Sequence, residues 1–131
     1  MTLLDSFELT VFVPAPPERV YAAWIIGDLH SKLTGAAAES EPQVGGRFTA
    51  WDGYIEGTHV ELQAPARIVQ LWRTSDFAAE AADSRLEVEL HPEGAGTRLT
   101  LRHSALPPGD GARYAQGWRD FYFAPMTAFF A

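Results

Sequence analysis

Among the residue types in this sequence, histidine can take part in the widest range of chemistry, because an imidazole titrates near neutral pH and can also bind a metal. The four histidines lie on different predicted elements, and no two are spaced to share one face of a helix: His30, His59, His91 and His103. That spacing argues against a metal site. The chain also lacks a Gly-x-Ser-x-Gly nucleophile elbow, and Gly45-Gly46-Arg47 lacks the glycine spacing of a nucleotide loop. We therefore predict no metal, no cofactor and no catalytic residue.

His103 is the most informative of the four, because it shares one face of a predicted strand with Leu99 and Leu101. A neutral imidazole on that apolar face needs a hydrogen-bond partner, which Trp118 or Tyr122 of a later helix could supply. A hydrogen-bonded wall histidine is favoured over one that binds a polar group of a ligand. Ser104 points to the opposite face of the strand, so the adjacent pair cannot act as nucleophile and base.

Large aromatic side chains provide the other candidate chemistry, which is the binding of an apolar molecule. Burial of each ring contributes roughly 1.5–3 kcal/mol, which explains its presence without any ligand. Core packing is therefore favoured over ligand contact, although a site between a sheet and a helix would be built from the same residues. The predicted ligand-binding residues are Phe48, Trp72, His103, Trp118, Phe121, Tyr122 and Met126.

Strands predicted from alternating hydrophobicity must position these side chains. An Asp-Gly pair within Trp51-Asp52-Gly53-Tyr54 predicts a tight hairpin. The stretch 75–84 is polar and rich in alanine, and predicts a mobile loop without core residues, in which residues 78–82 could form a helical turn. The extended segments are residues 7–13, the two arms of the Asp-Gly hairpin, and residues 59–63, 68–74, 85–91 and 97–103.

Two short helices are predicted after the first strand. Pro17 suits the first turn of a helix, where a missing N–H costs nothing, and Gly35 suits the end of the second helix. Asp28 is the predicted N-cap of that second helix. The stretch 36–42 carries no strand pattern.

The last segment predicts a long amphipathic helix, for which Asp110 is a candidate cap. Apolar bulk recurs there at helical spacing, while Gln116, Arg119 and Asp120 occupy the other face. Pro125 cannot donate to the carbonyl of Phe121, so the helix should kink or restart at that point. The apolar stripe consists of Tyr114, Trp118, Phe121, Tyr122, Met126, Phe129 and Phe130.

Composition excludes several classes of protein. The 131 residues are 47% hydrophobic and 21% charged, which is typical of one globular domain, and they include no cysteine. Disulfides and thiolate chemistry are thereby excluded. A net charge of −7, with no basic stripe, argues against nucleic acid as a partner. No apolar run approaches bilayer length and no signal peptide is recognisable, so we expect no membrane insertion and a cytoplasmic location.

Several segments in this order resemble a known family. They are F-x-L-x-V-F-V-P-A-P-P-E-R-V-Y-A-A-W, V-G-G-R-F with the Asp-Gly hairpin, P-A-R-I-V-Q-L-W-R, G-T-R-L-T-L-R-H-S-A-L-P and G-W-R-D-F-Y-F-A-P-M-T-A-F-F. Over residues 7–130 they resemble the activator of Hsp90 ATPase homologue family, within the START-like (SRPBCC) superfamily of helix-grip domains. The resemblance implies one α+β domain spanning 1–131, in which a long C-terminal helix covers a curved six-stranded antiparallel sheet.

The resemblance also implies a cavity between helix and sheet, which the superfamily uses for apolar ligands. Eukaryotic activators carry a separate N-terminal domain that binds the chaperone, and 131 residues leave no room for one. A chaperone partner and a stress-response role are therefore the weaker expectation. The oligomeric state, including a homodimer, stays open.

These observations lead to three hypotheses about function. The leading hypothesis is non-catalytic binding of a small hydrophobic or aromatic ligand between the sheet and the last helix. The second is a small cyclase- or hydrolase-type enzyme that uses the same cavity, with His103 as acid or base and a tyrosine as its partner. It requires His103 to face an open pocket. The third is a chaperone-associated interaction protein that acts through its acidic surface.

Overall fold

A seven-stranded antiparallel sheet forms one layer of the protein in the computed structural model, which describes residues 3–131. The strands lie in the order β1-β7-β6-β5-β4-β3-β2 across the sheet. The elements are β1 (Asp5–Val13), α1 (Pro17–Ile25), α2 (Gly27–Thr34), β2 (Glu39–Ser40), β3 (Arg47–Ala50), β4 (Ile55–Gln63), β5 (Arg67–Thr74), β6 (Ser84–Glu93), β7 (Gly96–Leu106), α3 (Gly111–Trp118), a π-helical segment (Arg119–Phe123) and α4 (Ala124–Phe129).

The predicted helix-grip fold is confirmed, with one difference in strand count. The seventh strand is β2, two residues long, in the stretch 36–42 that carried no strand pattern. It pairs with β3, so that Ser40 lies opposite Phe48. Its pairing depends on a partner strand and not on its own sequence, which is why alternation failed to predict it.

The buried face of the sheet carries the core, as alternation predicted. Leu86, Val88 and Leu90 of β6 and Leu99 and Leu101 of β7 are all buried. Adjacent strands hold them in register, with Val88 opposite Leu101 and Leu90 opposite Leu99. Side chains two apart in a strand share a face, so one layer of apolar residues forms beneath the C-terminal helix.

The C-terminal helix, residues 111–129, continues past Pro125 because its helical pitch changes just before that residue. The N–H of Ala124 donates to the carbonyl of Arg119, five residues earlier, which defines a π turn immediately before Pro125. This wider turn keeps residues four apart in line, so that Trp118, Tyr122, Met126 and Phe130 are buried.

The predicted apolar stripe is wrong at Phe121 and Phe129, of which only Phe129 follows the π turn. Phe121 is 55% exposed and Phe129 is 42% exposed, although both fit an ideal helical spacing. Phe123, outside that stripe, is buried instead. An extra residue in one turn rotates everything that follows, and a regular 3.6-residue period cannot anticipate it.

The loop between β5 and β6 is better anchored than its composition predicts. Phe77 is buried and packs against the rings of Trp72 and Tyr114. Arg73 donates to the carbonyls of Ala78 and Ala81. The expectation of a loop without core residues is therefore wrong at Phe77.

Helix α3 is capped from the far end of the chain. Asp110 occupies the predicted N-cap position of α3, but its side chain makes no capping bond. The prediction for Asp28 is wrong, because the N-cap of α2 is Ile26. The carboxylate of Asp5 on β1 accepts the backbone N–H of Gly111 at 2.8 Å and that of Gly109 at 3.0 Å. A carboxylate at this position satisfies free N–H groups and opposes the positive end of the helix dipole.

Substitution of Asp5 should therefore destabilise the C-terminal helix. We expect Asp5→Ala to lower the free energy of unfolding by about 1–2 kcal/mol, measured by urea denaturation, because two N–H groups lose their acceptor. Asp110→Ala is the matched control and should cost less than about 0.5 kcal/mol. A larger loss for Asp110→Ala than for Asp5→Ala would contradict this assignment.

Candidate functional site

A cavity of about 360 Å³ lies where the C-terminal helix, the sheet and the β3–β4 hairpin meet. The sheet contributes Ile55 and Trp72. The remaining lining residues come from the hairpin and the helix: Trp51, Tyr54, Arg113, Tyr114, Gly117, Trp118, Phe121 and Tyr122. A volume of this size falls within the range of small-molecule sites.

Gly117 is one reason that the cavity exists. It lies in α3, directly before Trp118. A Cβ built on it would meet no atom within 4 Å. Any larger residue would place its side chain into that space. A glycine inside a helix costs about 1 kcal/mol relative to alanine, so this position gives up stability and leaves room beside Trp118.

The walls of the cavity are aromatic. The ring of Trp72 lies 5.8 Å from that of Trp118 and 5.3 Å from that of Tyr114, measured between centroids. The ring of Trp51 closes the opposite side, 5.5 Å from the ring of Phe121. Rings at these separations attract one another in edge-to-face and tilted geometry, and they would offer the same contacts to an aromatic guest.

Charged groups are confined to one side of the cavity. The hydroxyl of Tyr54 donates to Asp76 at 2.5 Å, and the guanidinium of Arg113 donates to the same carboxylate oxygen at 3.1 Å. The hydrogen bond from Tyr54, and after it that from Arg113, hold the pKa of Asp76 below its usual value. These contacts tie the hairpin, the β5–β6 loop and α3 together at the rim of the cavity.

The tyrosine hydroxyls of the helix already have partners inside the protein. Tyr114 shares a hydrogen bond of 2.7 Å with the hydroxyl of Thr74. The hydroxyl of Tyr122 lies 2.8 Å from Nε2 of His30, whose Nδ1 lies 3.0 Å from the carbonyl oxygen of Trp24. That carbonyl can only accept, so Nδ1 of His30 carries the proton and Tyr122 donates to Nε2. Burial raises the pKa of Tyr122 and lowers that of His30.

His103 lies outside the cavity lining, in a closed chain of hydrogen bonds. The indole N–H of Trp118 donates to its Nδ1 at 3.1 Å, so the ring proton resides on Nε2. Nε2 lies 2.8 Å from the hydroxyl of Ser84, which in turn donates to the carbonyl of Trp72 at 2.7 Å. His103 is 0% exposed, and burial lowers its pKa to about 3.

This environment gives His103 a structural role. Both ring nitrogens have partners, neither faces the cavity, and the imidazole stays neutral across the physiological pH range. The hypothesis of His103 as acid or base required an open pocket beside it. The geometry contradicts that requirement.

The structure brings together four of the seven residues predicted for the site. Trp72, Trp118, Phe121 and Tyr122 line the cavity. The other three lie elsewhere: Met126 is fully buried, His103 belongs to the hydrogen-bond chain above, and Phe48 stacks on the ring of His59 at 5.2 Å. Phe48 packs so closely on Gly57 that a Cβ there would lie 2.6 Å from its ring.

Several lining residues were not predicted. Tyr114 lies four residues before Trp118 and Gly117 lies four residues before Phe121, so a helical projection could have found both. Trp51 had no such pattern, because it lies in the hairpin turn. It adopts a positive φ of 52°, followed by Asp52 and Gly53 at 58° and 90°. This unusual turn places its side chain in the lining of the cavity.

Within residues 3–131, no group of three or more histidine, aspartate or glutamate side chains is placed to hold a metal ion. No helix in this part of the chain is long and apolar enough to cross a membrane.

The site and the sheet together define a helix-grip domain, and comparison with known proteins places the chain within one family of that class. The sequence model described as Activator of Hsp90 ATPase homolog 1-like protein matches residues 14–131. The protein therefore belongs to this family, as the resemblance in the sequence predicted.

Curated relatives are longer than this chain. The human protein named activator of 90 kDa heat shock protein ATPase homolog 1 is 27% identical over 107 residues, which cover 82% of this chain and 31% of that protein. Mouse homolog 2 is 29% identical over 105 residues, covering 80% and 30%. The chain thus matches about a third of the length of these relatives.

Solved structures share the fold over nearly the whole chain. An HSP90 activator from Plasmodium falciparum superposes with a TM-score of 0.87 at 28% identity, covering 95% of this chain and 94% of that one. CalU16 from Micromonospora echinospora gives 0.76 at 22% identity, with coverage of 95% and 77%. The Aha1 dimer from Colwellia psychrerythraea gives 0.79 at 15% identity, with coverage of 95% and 95%.

Proposed function

We propose that the protein binds a small hydrophobic or aromatic ligand in the cavity between the sheet and the C-terminal helix, without catalysing its conversion. The observation that carries this proposal is the 360 Å³ space lined by seven aromatic side chains: Trp51, Tyr54, Trp72, Tyr114, Trp118, Phe121 and Tyr122. Filling it would remove apolar surface from water on both partners, at roughly 25 cal/mol per Å². Cores normally lack voids of this size.

A ligand screen tests the proposal. Purified protein should show an increase in melting temperature with members of a panel of lipids, polycyclic aromatics and polyketides, because binding to the folded state alone stabilises it. Native mass spectrometry should detect the same complexes. A melting temperature that no panel member changes, together with a bare protein mass, would overturn the proposal.

Gly117 allows the cavity to be blocked without disturbing its walls. We expect Gly117→Leu to weaken binding of any panel ligand at least tenfold in isothermal titration calorimetry, because the new side chain enters the empty space. Gly117→Ala is the matched control. It should leave most of the volume free and raise the free energy of unfolding by up to about 1 kcal/mol through helix propensity. Equal affinity of the leucine variant and the wild type would place the ligand elsewhere.

A chaperone-associated role is the second candidate. It is favoured by the names of the relatives, above all by the Plasmodium HSP90 activator, which this chain matches over 94% of its length. The test is the ATP turnover of a bacterial Hsp90 with and without the protein. We expect no change if ligand binding is the function, whereas a several-fold increase that survives Gly117→Leu would support the chaperone role.

A further inference from the structure

The two edges of the sheet are protected to different degrees. The edge strand β2 is two residues long, and Ser31 of α2 holds the chain just before it by accepting the N–H of Ala38 at 2.8 Å. The opposite edge strand, β1, is nine residues long and pairs only with β7 within residues 3–131. Proteins usually guard such an edge with lysine, proline or a bulge. Residues 7–13 contain none of these, and their one charged side chain, Glu8, is ion-paired with Arg102 at 2.6 Å.

The core-facing side of β1 is also incompletely covered. Phe7, Leu9 and Val11 are only half-buried, although they pack against the core. The residues opposite them on β7 are 0% exposed. The difference arises because β7 has a neighbouring strand on each side and β1 on one side only. A strand added beside β1 would cover this apolar strip and pair the free N–H and C=O groups of the edge.

The sequence of β1 suits pairing with a second copy of itself. Two copies related by a two-fold axis make a self-complementary contact, in which the two strands run antiparallel. With the axis at Leu9, Phe7 lies opposite Val11 of the second copy, and Glu8 lies opposite Thr10 of the second copy. Aromatic and β-branched side chains are favourable cross-strand pairs, and this register places no like charges opposite each other. An axis one residue earlier would bring the two Glu8 carboxylates face to face.

We propose that two copies of the protein associate through β1, which pairs antiparallel with itself about Leu9 and joins the two seven-stranded sheets into one. Pairing over residues 7–13 involves far fewer residues than the roughly 20–30 a side of a stable interface, so the dimer is weak and depends on concentration. The cavity is lined by residues between 51 and 122, away from this edge. The inference therefore does not rest on the proposed ligand.

Substitution of Thr10 tests both the surface and the register. Thr10 is exposed, so a charged side chain there should leave the fold intact, as checked by circular dichroism. Because Glu8 of the second copy lies opposite, Thr10→Glu creates two like-charge pairs in the dimer, whereas Thr10→Lys creates two opposite-charge pairs.

Sedimentation equilibrium at about 0.15 M salt measures the association. The wild type should move from the monomer mass toward the dimer mass between about 10 μM and 1 mM protein. We expect Thr10→Glu to weaken association about fivefold and Thr10→Lys to strengthen it about as much. Thr100→Glu and Thr100→Lys are the matched controls, because Thr100 lies opposite Thr10 on β7, one strand further from the edge. These controls should change the affinity less than about twofold.

Three results would overturn parts of the proposal. A wild type that stays monomeric at about 1 mM would exclude self-association through β1. Association that neither Thr10 variant changes would place the contact on another surface. Weakening by both Thr10 variants would overturn the register, since it indicates that Thr10 lies opposite itself. Hydrogen exchange of the wild type gives an independent readout: alternate amides of β1 should exchange more slowly at the higher concentration, and equal exchange rates would contradict the pairing.

Discussion

Replacing Trp118 with alanine is expected to lower the free energy of unfolding by about 4 kcal/mol. Trp118 joins the C-terminal helix to the rest of the core, since its ring lies 5.8 Å from those of Trp24 and Trp72 and 4.7 Å from that of Tyr122. Truncation of a buried tryptophan removes that burial and enlarges the void, which typically costs 3–5 kcal/mol. Urea denaturation followed by circular dichroism measures the loss.

Two further variants divide this effect into its parts. Trp118→Phe retains a ring but leaves Nδ1 of His103 without its donor, so we expect a loss of about 1–3 kcal/mol. Phe129→Ala removes a 42% exposed ring from the same helix and should cost about 1 kcal/mol or less. If Trp118→Ala costs no more than Phe129→Ala, then Trp118 does not anchor the helix.

Acid should destabilise the protein well above the range in which carboxylates titrate. Burial lowers the pKa values of His30, His59 and His103, the last to about 3. The unfolded chain binds protons at these sites below about pH 6.5, whereas the folded chain does not, so stability rises with pH in this window and is lost as pH falls. Since one proton corresponds to about 1.4 kcal/mol per pH unit, His103 alone accounts for about 2 kcal/mol between pH 6.5 and 5.

The contribution of His103 can be isolated by substitution. Glutamine at this position can accept from Trp118 and donate to Ser84, but it does not titrate. We therefore expect His103→Gln to reduce the slope of unfolding free energy against pH by about one proton between pH 5 and 6.5. His91→Gln is the control, because this ring is exposed on β6. An unchanged slope in His103→Gln, or stability that does not vary from pH 7 to 5, would contradict the buried neutral state.

The sequence predicted those features that depend on local periodicity. The alternation of Leu99, Leu101 and His103 gave the buried face of β7, and the spacing of Trp118 and Tyr122 gave the face of the helix. Both regularities reflect a repeating backbone, so neighbouring residues carry enough information. The family resemblance added the order of the elements.

Features that depend on distant partners were not predicted. Asp5 caps a helix that begins more than a hundred residues later, and the partner of His103 on β6 is Ser84. The position of Trp51 depends on three consecutive residues with positive φ. The Asp-Gly pair predicted where the turn lies, but not these backbone angles. In each case the side chain acts through a contact that the tertiary fold creates.

The four tryptophan indoles provide the most direct test of the cavity as a ligand site. Three of them line it, and Trp24 lies outside the lining as an internal reference. In ¹H–¹⁵N spectra of the wild type titrated with 9-fluorenone, we predict saturable shifts of the Trp51, Trp72 and Trp118 indole signals and little change at Trp24. Shifts confined to Trp24 and to surface amides, or no shift at saturating fluorenone, would contradict a cavity that binds aromatic ligands.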